Sequence, residues 1–254
     1  MRKEILFGLP CILLFSLATA GSNIFTSSFE ESETPIIKFK INDTGITWAA
    51  NNLSGNSETC ISDIAADQDC HQGRDADPGT NTDTDGHAGF SFTKLDLSGV
   101  PLEPTASSWS CVRDNVTGLI WEVKTTIAGV HNRNNTYQWG GLTAIGREHP
   151  NRKGDYFDPS WNSLIQDSNS NNLCGLASWR IPTLLELNSI VNYEAQSPSI
   201  DSNYFPNTVS GNYWSSSPVA SVADFAWSIN FLNGEDGINN RNSARPVRLV
   251  SSDF

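Results

Sequence analysis

The sequence has few charged residues, and positive charge is the scarcer sign. Lys, Arg, Asp and Glu make up 17% of the 254 residues, with 16 basic and 28 acidic side chains and a formal net charge of -12. Non-specific binding to nucleic acid needs a positive field, so this balance excludes nucleic acid as a partner. The polar residues are mainly Asn, Ser, Thr and Gly, a composition typical of an extracellular β-rich protein.

Long apolar stretches are also lacking, except at the N-terminus. Arg2 and Lys3 precede an apolar run from Ile5 to Leu17, and the small residues Ala18-Thr19-Ala20 follow. This order is typical of a cleaved secretory signal. The run is shorter than the ~20 residues that cross a membrane, although an uncleaved anchor is the alternative. We therefore predict a signal peptide at residues 1–20 and an exported protein that is periplasmic, cell-surface or secreted, with no transmembrane segment after cleavage.

Cysteines are few, with five in the whole chain. Cys11 lies in the predicted signal, which leaves an even set of four cysteines. An even number in an exported protein predicts two disulfides, although three pairings are possible. The short separation favours Cys60–Cys70, which leaves Cys111 to pair with Cys174. Free or metal-binding thiols are the alternative, but the spacings match no zinc pattern, and the four histidines form no ligand pair at helical spacing.

The composition changes along the chain and suggests four segments. Residues 21–35 after the signal are rich in Ser and Glu and read as a flexible leader. Residues 36–108 contain alternating apolar segments and a long polar loop around Cys60 and Cys70, which predicts a β-rich extension with a stapled loop. Residues 109–251 are richer in aromatic residues and form the main predicted domain, and we expect Trp121, Trp179, Trp214 and Trp227 to lie in its core.

Two short helices are predicted among short strands, so the fold class is α+β. Asp158-Pro159 forms an N-cap with Pro at the first helical position. Thr183 and Glu186 form a capping box at the start of a helix. The predicted helix continues through an apolar stripe and ends before Pro198. The stripe consists of Leu184, Leu187, Ile190 and Val191. The segment Asp114–Gly118 predicts a turn between two short strands. Asn233-Gly234 between two alternating segments predicts a β-hairpin.

Several motifs then occur in a recognisable order. They are Cys111–Lys124, Cys174–Thr183, Tyr213–Pro218 and Arg245–Val250. Over about Trp109 to Val250 the chain resembles the family named after the C-terminal domain of the Legionella collagen-like adhesin. Residues Asp83–Lys94 also resemble an N-terminal extension that some members carry.

The resemblance implies a C-type-lectin-like fold related to formylglycine-generating enzymes. It also implies adhesion, because the namesake domain binds sulfated glycosaminoglycans. Some similar domains are variable targets of diversity-generating retroelements. Because members differ in ligand, the fold alone does not settle the function.

One candidate binding surface is the segment between the last two long strands, which is more polar than a hairpin requires. In C-type-lectin-like domains this region forms the ligand face, so we predict ligand contacts there. An ordinary turn is the alternative, since Asn tolerates left-handed backbone angles. The candidate residues are Asn233, Glu235, Asp236, Asn239, Asn240, Arg241 and Asn242.

A second candidate is a basic patch formed by Arg147, His149, Arg152 and Lys153. These side chains suit sulfated or carboxylated polysaccharide through charge-assisted hydrogen bonds. The alternative is a solvated loop, which the acidic character of the whole chain favours.

A third candidate is a partial calcium loop. Asn81, Asp83 and Asp85 precede Gly86 with the spacing of the first half of such a loop. Phe92 occupies the position where a bidentate Glu is expected. The alternative to a calcium site is that these Asp residues only stabilise turns. We expect the protein to need no cofactor.

Motifs for catalysis are lacking as well. There is no G-x-S-x-G sequence and no Cys–His pair within a specific motif. We predict a non-enzymatic binding module for adhesion or recognition, with a glycan or a surface protein as its partner. The alternatives are a diversified receptor for a protein ligand and a structural envelope or matrix component. A homo-oligomer is compatible with the sequence.

Overall fold

The computed structural model describes residues 42–51, 55–57, 60, 67–77, 79, 83–140 and 159–252. The predicted signal peptide and leader lie outside the described residues. So do Asn81, the N-cap residue Asp158 and the whole basic patch of Arg147, His149, Arg152 and Lys153.

Short strands dominate the described residues, with two α-helices between them. The predicted α+β class is confirmed, and the arrangement is consistent with the C-type-lectin-like fold that the resemblance implies. The elements are β1 (Ala49–Asn51), β2 (Gly55–Ser57), β3 (Phe92–Leu95), β4 (Cys111–Asp114), β5 (Ile120–Glu122), α1 (Pro159–Ser170), α2 (Leu184–Asn188), β6 (Asn212–Pro218), β7 (Phe225–Asn230), β8 (Asp236–Asn240) and β9 (Val250–Ser251). Single 3-10 turns lie at Asp69–His71 and Leu173–Gly175.

The largest sheet is antiparallel and has the order β3-β4-β5-β9. The turn between β4 and β5 forms as predicted, because the Asp114 carboxylate accepts the backbone N–H groups of Val116 and Thr117. The chain end returns to this sheet, since Trp121 pairs with Val250. Strand β3 belongs to the predicted extension, so the extension contributes an edge strand to the sheet of the main domain.

The second sheet is a meander of β6, β7 and β8, in which β8 is an edge strand. The predicted hairpin between β7 and β8 is confirmed, with Gly234 donating its N–H to the Asn230 carbonyl. Gly234 has φ +83°, and a Cβ there would lie 2.8 Å from Val191 Cγ1. Only glycine therefore fits this turn without displacing its neighbour.

Aromatic side chains fill the core between these sheets and the helices. Trp121, Trp179 and Trp214 are buried, as predicted, whereas Trp227 on β7 is only half-buried. Phe92 lies at the centre of an aromatic group, with its ring 5.2 Å from Phe205 and edge-on to it. Such pairs stabilise a core beyond the area that they bury.

Helix α2 begins as predicted but ends early. The Thr183 side chain accepts the Glu186 N–H and the Glu186 carboxylate accepts the Thr183 N–H, which confirms the capping box. The helix stops at Asn188, because the Ser189 hydroxyl bonds the Glu186 carbonyl and the chain then turns toward Ser199. Ile190 and Val191 remain buried, so their apolar character reflects the core and not further helix.

Both predicted disulfides are confirmed. Cys60 bonds Cys70, and Cys111 bonds Cys174. Near the second bridge two loops touch, since a Cβ on Gly99 would lie 2.4 Å from the Cys174 carbonyl oxygen. Among the described residues, no helix is long and apolar enough to cross a membrane.

Candidate functional site

The predicted hairpin surface is exposed at its tip and edge. The side chains of Asn233, Glu235, Asp236 and Asn242 are exposed, and Asn240 is half-buried. Two of them also organise the backbone: the Asn233 side chain accepts the Glu235 N–H, and the Asn240 side chain accepts the Asn242 N–H. These contacts are the local bonds that Asn makes in turns. The tip is thus polar and solvent-facing, with several of its groups engaged in holding its shape.

Two of the predicted hairpin residues point away from that surface. Arg241 is 3% exposed, its guanidinium lies 4.2 Å from the centre of the Trp139 ring, and its Nε donates to the Phe225 carbonyl. The Asn239 amide donates to Ser228 and accepts from Arg245. Arg241 and Asn239 therefore support the hairpin from its inner side.

The carboxylates of the partial calcium loop are used as turn acceptors. Asp83 accepts the Ala88 N–H at 3.0 Å, and Asp85 accepts the Ser91 hydroxyl at 2.6 Å. Within the part of the chain that the structure describes, the only group of three side chains close enough to share a metal ion is Cys60, Cys70 and His71. Its two sulfurs form a disulfide, so this group does not have the free thiolates that a metal needs.

A buried ionic cluster lies on β5. The Glu122 carboxylate is fully buried and contacts the Lys124 ammonium at 2.8 Å and the His131 Nδ1 at 2.7 Å. Burial alone would raise the pKa of Glu122, but Lys124 and His131 outweigh it and hold the pKa at about 2. Burial lowers the pKa of Lys124, against the opposing effect of Glu122. The cluster ties β5 to β9, because the same carboxylate accepts the Leu249 N–H.

A cleft of about 700 Å³ lies between the extension and the main domain. One wall comes from residues 83, 84, 86 and 87, from Lys94, and from residues 104–107 and 109. The other wall comes from Asp201–Tyr204. We call this feature the aromatic cleft, because Trp109 and Tyr204 form its floor together with Lys94.

Lys94 is the central cation of the aromatic cleft, yet it is only 6% exposed. Its Nζ donates to the carbonyls of Pro104 and Ala106 and lies 3.8 Å from the centre of the Trp109 ring. Burial lowers the pKa of Lys94, although Asp201 opposes the change. An ammonium has three N–H groups, so at most one remains for a ligand.

Polar groups line the opposite wall. Asp201 is 8% exposed, and its two oxygens accept the backbone N–H groups of Asn203 and His87. The Tyr204 hydroxyl donates to the Thr84 carbonyl, and Trp109 Nε1 donates to the Tyr204 carbonyl. These bonds cross the cleft floor and fix the two rings relative to each other.

The surroundings of the cleft are acidic. Burial and the nearby Asp85 and Asp201 raise the pKa of Tyr204 to about 12. A second cavity of about 490 Å³ shares His87, Asp201, Ser202 and Asn203 with the first and adds Glu194. The two cavities form one continuous surface in which carboxylates outnumber cations.

Comparison with known families identifies the region of the chain that begins at residue 110. Residues 110–251 match the sequence model of the Lcl C-terminal domain. The chain belongs to the Lcl C-terminal domain family. This confirms the resemblance drawn from the sequence motifs, and it makes the protein an adhesin-related module. No curated protein matches the chain.

The aromatic cleft lies across the border of the matched region. Lys94 and Trp109 precede the Lcl C-terminal domain, whereas Asp201 and Tyr204 lie within it. The cleft is therefore a feature that the extension and the Lcl domain build together.

The cleft was not predicted from the sequence, although the sequence contains one signal for it. The alternation of Phe90, Phe92 and Lys94 places the lysine on the same strand face as two core phenylalanines. A lysine at a core-facing position is rare, because its buried ammonium needs hydrogen-bond acceptors or an opposite charge.

Proposed function

We propose that this protein is an exported, non-enzymatic recognition module that binds a glycan in the aromatic cleft. Membership of the Lcl C-terminal domain family supports the adhesin-related part of the proposal. Its two disulfides are compatible with an extracellular location. The observation that carries the glycan part is the composition of the cleft, which combines a half-buried Trp109 with the exposed polar residues Ser202 and Asn203.

The chemistry of a sugar fits such a cleft. A sugar ring has an apolar C–H face and a rim of hydroxyl groups. An aromatic side chain offers a large rigid apolar surface, and a few placed polar groups set orientation and specificity. Trp109 supplies the ring, while the Asp201 carboxylate and the neighbouring backbone supply acceptors.

The proposal is tested by filling the cleft without disturbing the core. Ser202 is exposed on the cleft wall, and Ser221 is an equally small exposed residue in the loop between β6 and β7. We expect Ser202→Tyr to weaken glycan binding about tenfold or more, ~1.4 kcal/mol, because the added ring occupies the ligand's place. The matched variant Ser221→Tyr should bind as the parent does.

The measurement is a glycan array with the mature chain, followed by calorimetric titration of the strongest glycan. Thermal unfolding of both variants shows that they remain folded. Binding that survives Ser202→Tyr would move the site elsewhere. An array with no signal would remove the glycan from the proposal.

A second candidate is recognition of a protein by the hairpin tip. It is favoured by the exposed row of Asn233, Glu235 and Asp236 together with Ile238, which is 47% exposed on an edge strand. Adenine-rich codons over residues 224–242, with a near-identical template copy nearby in the genome, would support a diversified receptor. Ordinary codon usage and no template would count against it.

A further inference from the structure

The charge distribution of the aromatic cleft points to the kind of glycan that it takes. We infer that the cleft prefers glycans with free amino groups over neutral glycans, and neutral glycans over sulfated ones. This inference rests on the proposed glycan function and deepens it.

The first observation is the number of carboxylates. Asp83, Asp201 and Glu194 line the continuous surface of the two cavities, and Asp83 is exposed toward solvent. Among the described residues that line these cavities, Lys94 is the only lysine or arginine. A ligand in the cleft therefore meets a net negative field.

The second observation is that the charge of Lys94 is already engaged. Two backbone carbonyls accept from its ammonium, and the rings of Trp109 and Tyr204 lie 3.8 and 5.4 Å from it. Carbonyl dipoles and aromatic faces both stabilise a cation. A sulfate group would have to compete with these partners for one remaining N–H.

The third observation is that the Asp201 carboxylate keeps accepting capacity toward a ligand. Each oxygen of Asp201 accepts one backbone N–H, and a carboxylate oxygen has room for a second donor. An ammonium or hydroxyl donor of a sugar satisfies that capacity. A sulfate has no donor to offer and adds repulsion.

The negative field in the cleft is more than a consequence of the acidic character of the whole chain. The exposed Glu235 and Asp236 make the hairpin tip acidic too, but neither residue lines either of the two cavities. A cleft with low-dielectric walls concentrates the field of its charges, so selectivity by charge is expected there and not at the tip.

The experiment compares three oligosaccharides of matched length with the mature chain. They are a fully deacetylated glucosamine pentasaccharide, its N-acetylated counterpart and a heparin-derived oligosaccharide. Dissociation constants are measured by calorimetry at low salt and at about 0.15 M ionic strength, where the Debye length is ~8 Å. We expect the amine-bearing sugar to bind about fivefold or more tighter than the N-acetylated sugar at low salt, with a smaller ratio at the higher salt.

Charge-removing variants connect this preference to the cleft. Asp83→Asn and Glu194→Gln should each reduce the amine preference by about two- to fivefold, since exposed charge pairs have modest energies. Asn suits position 83, because Asp83 has φ +48° and Asn tolerates left-handed angles. Asp167→Asn, at an exposed carboxylate of helix α1 outside both cavities, is the matched control and should leave the preference unchanged.

Each result has a distinct meaning. Failure of all three sugars to bind removes the proposed glycan function, and the inference falls with it. Equal or tighter binding of the sulfated sugar overturns the inference and leaves the glycan function in place. The inference is also overturned if Asp167→Asn acts as strongly as Asp83→Asn. Equally tight binding of a trilysine peptide would show recognition of amines in general and not of a sugar.

Discussion

At the scale of single residues, three of the buried cations are Lys94, Lys124 and Arg248, and each has its own partners. Lys94 uses carbonyls and an aromatic ring, Lys124 uses the Glu122 carboxylate, and Arg248 donates to the Glu122 carbonyl and the Thr208 hydroxyl. A buried charge without such partners would cost several kcal/mol. These residues are therefore held by tertiary contacts that distant parts of the chain supply.

Glu122 gives the first prediction at this scale. Replacing Glu122 by Ala removes the partner of the buried Lys124 ammonium, which is 2% exposed. We expect the free energy of unfolding to fall by about 3–5 kcal/mol, because an uncompensated charge is left in the core. Urea unfolding checks this, and the exposed Glu103→Ala is the control. A loss below ~1 kcal/mol would contradict the role assigned to the cluster.

The same residue predicts how acid affects stability. The pKa of Glu122 is about 2 in the folded protein and about 4.5 in the ordinary state. A lowered carboxyl pKa gives stability that is complete above pH ~4.5 and is lost as the pH falls toward ~2. Unfolding free energies measured across this window should decline less steeply in Glu122→Gln than in the parent. Equal slopes for the two proteins would show that Glu122 does not titrate as described.

At the scale of elements, the two disulfides close loops of very different length. Cys60–Cys70 spans a sequence separation of 10 and Cys111–Cys174 one of 63. Chain entropy predicts stabilisation of about 3 and 4 kcal/mol, respectively. We expect the Cys111→Ser/Cys174→Ser double variant to be the less stable one, also because both of its cysteines are buried in the core. Thermal unfolding of the two double variants compares them, and the reverse order would contradict this reasoning.

In helix α2, the sequence predicted the start of the helix correctly but not its end. Its start was predicted correctly, because a capping box is a local pattern of hydrogen bonds between Thr183 and Glu186. Its end was placed too late, because Ile190 and Val191 continue the helical spacing of apolar residues. Both residues lie after the end of the helix and are buried in the core. Their spacing therefore reflects their packing in the core and not a helical backbone.

At the scale of the whole molecule, the extension and the Lcl C-terminal domain share a sheet and a core. Phe92 pairs with Asp114 in the register of β3 and β4, and its ring contacts Tyr204 and Phe205. The family match begins at residue 110, after this strand. The matched region therefore receives an edge strand and core aromatics from the residues before it.

This arrangement predicts a large effect for a residue outside the matched region. Phe92→Ala should lower the free energy of unfolding by about 3–5 kcal/mol, because a buried ring leaves a cavity among other rings. Leu97→Ala, at a side chain that is 65% exposed, should change it by less than about 0.5 kcal/mol. Urea unfolding followed by tryptophan fluorescence measures both. Similar stabilities for the two variants would mean that the extension does not share the core of the Lcl domain.

The sequence by itself determined the parts of this protein that depend on local patterns. The capping box at Thr183, the turn at Asp114, the hairpin at Asn233-Gly234 and the four family motifs all lie within short windows, and the structure or the family match confirms them. The disulfide pairing was favoured by one short separation. These features follow from neighbours in the chain, so no long-range information was needed.

Only the tertiary structure decided which polar residues are exposed and which are buried against aromatic rings. Arg241 looked like part of an exposed loop but stacks on Trp139, whereas Lys94 looked like one strand residue among others but forms the floor of the cleft. The cleft joins residues 83–109 to Asp201–Tyr204, about a hundred positions apart in the chain. Its charge and shape arise from the packing of these segments. The alternation in β3 marks Lys94 as unusual, but no periodic pattern in either segment tells which distant residues pack against it.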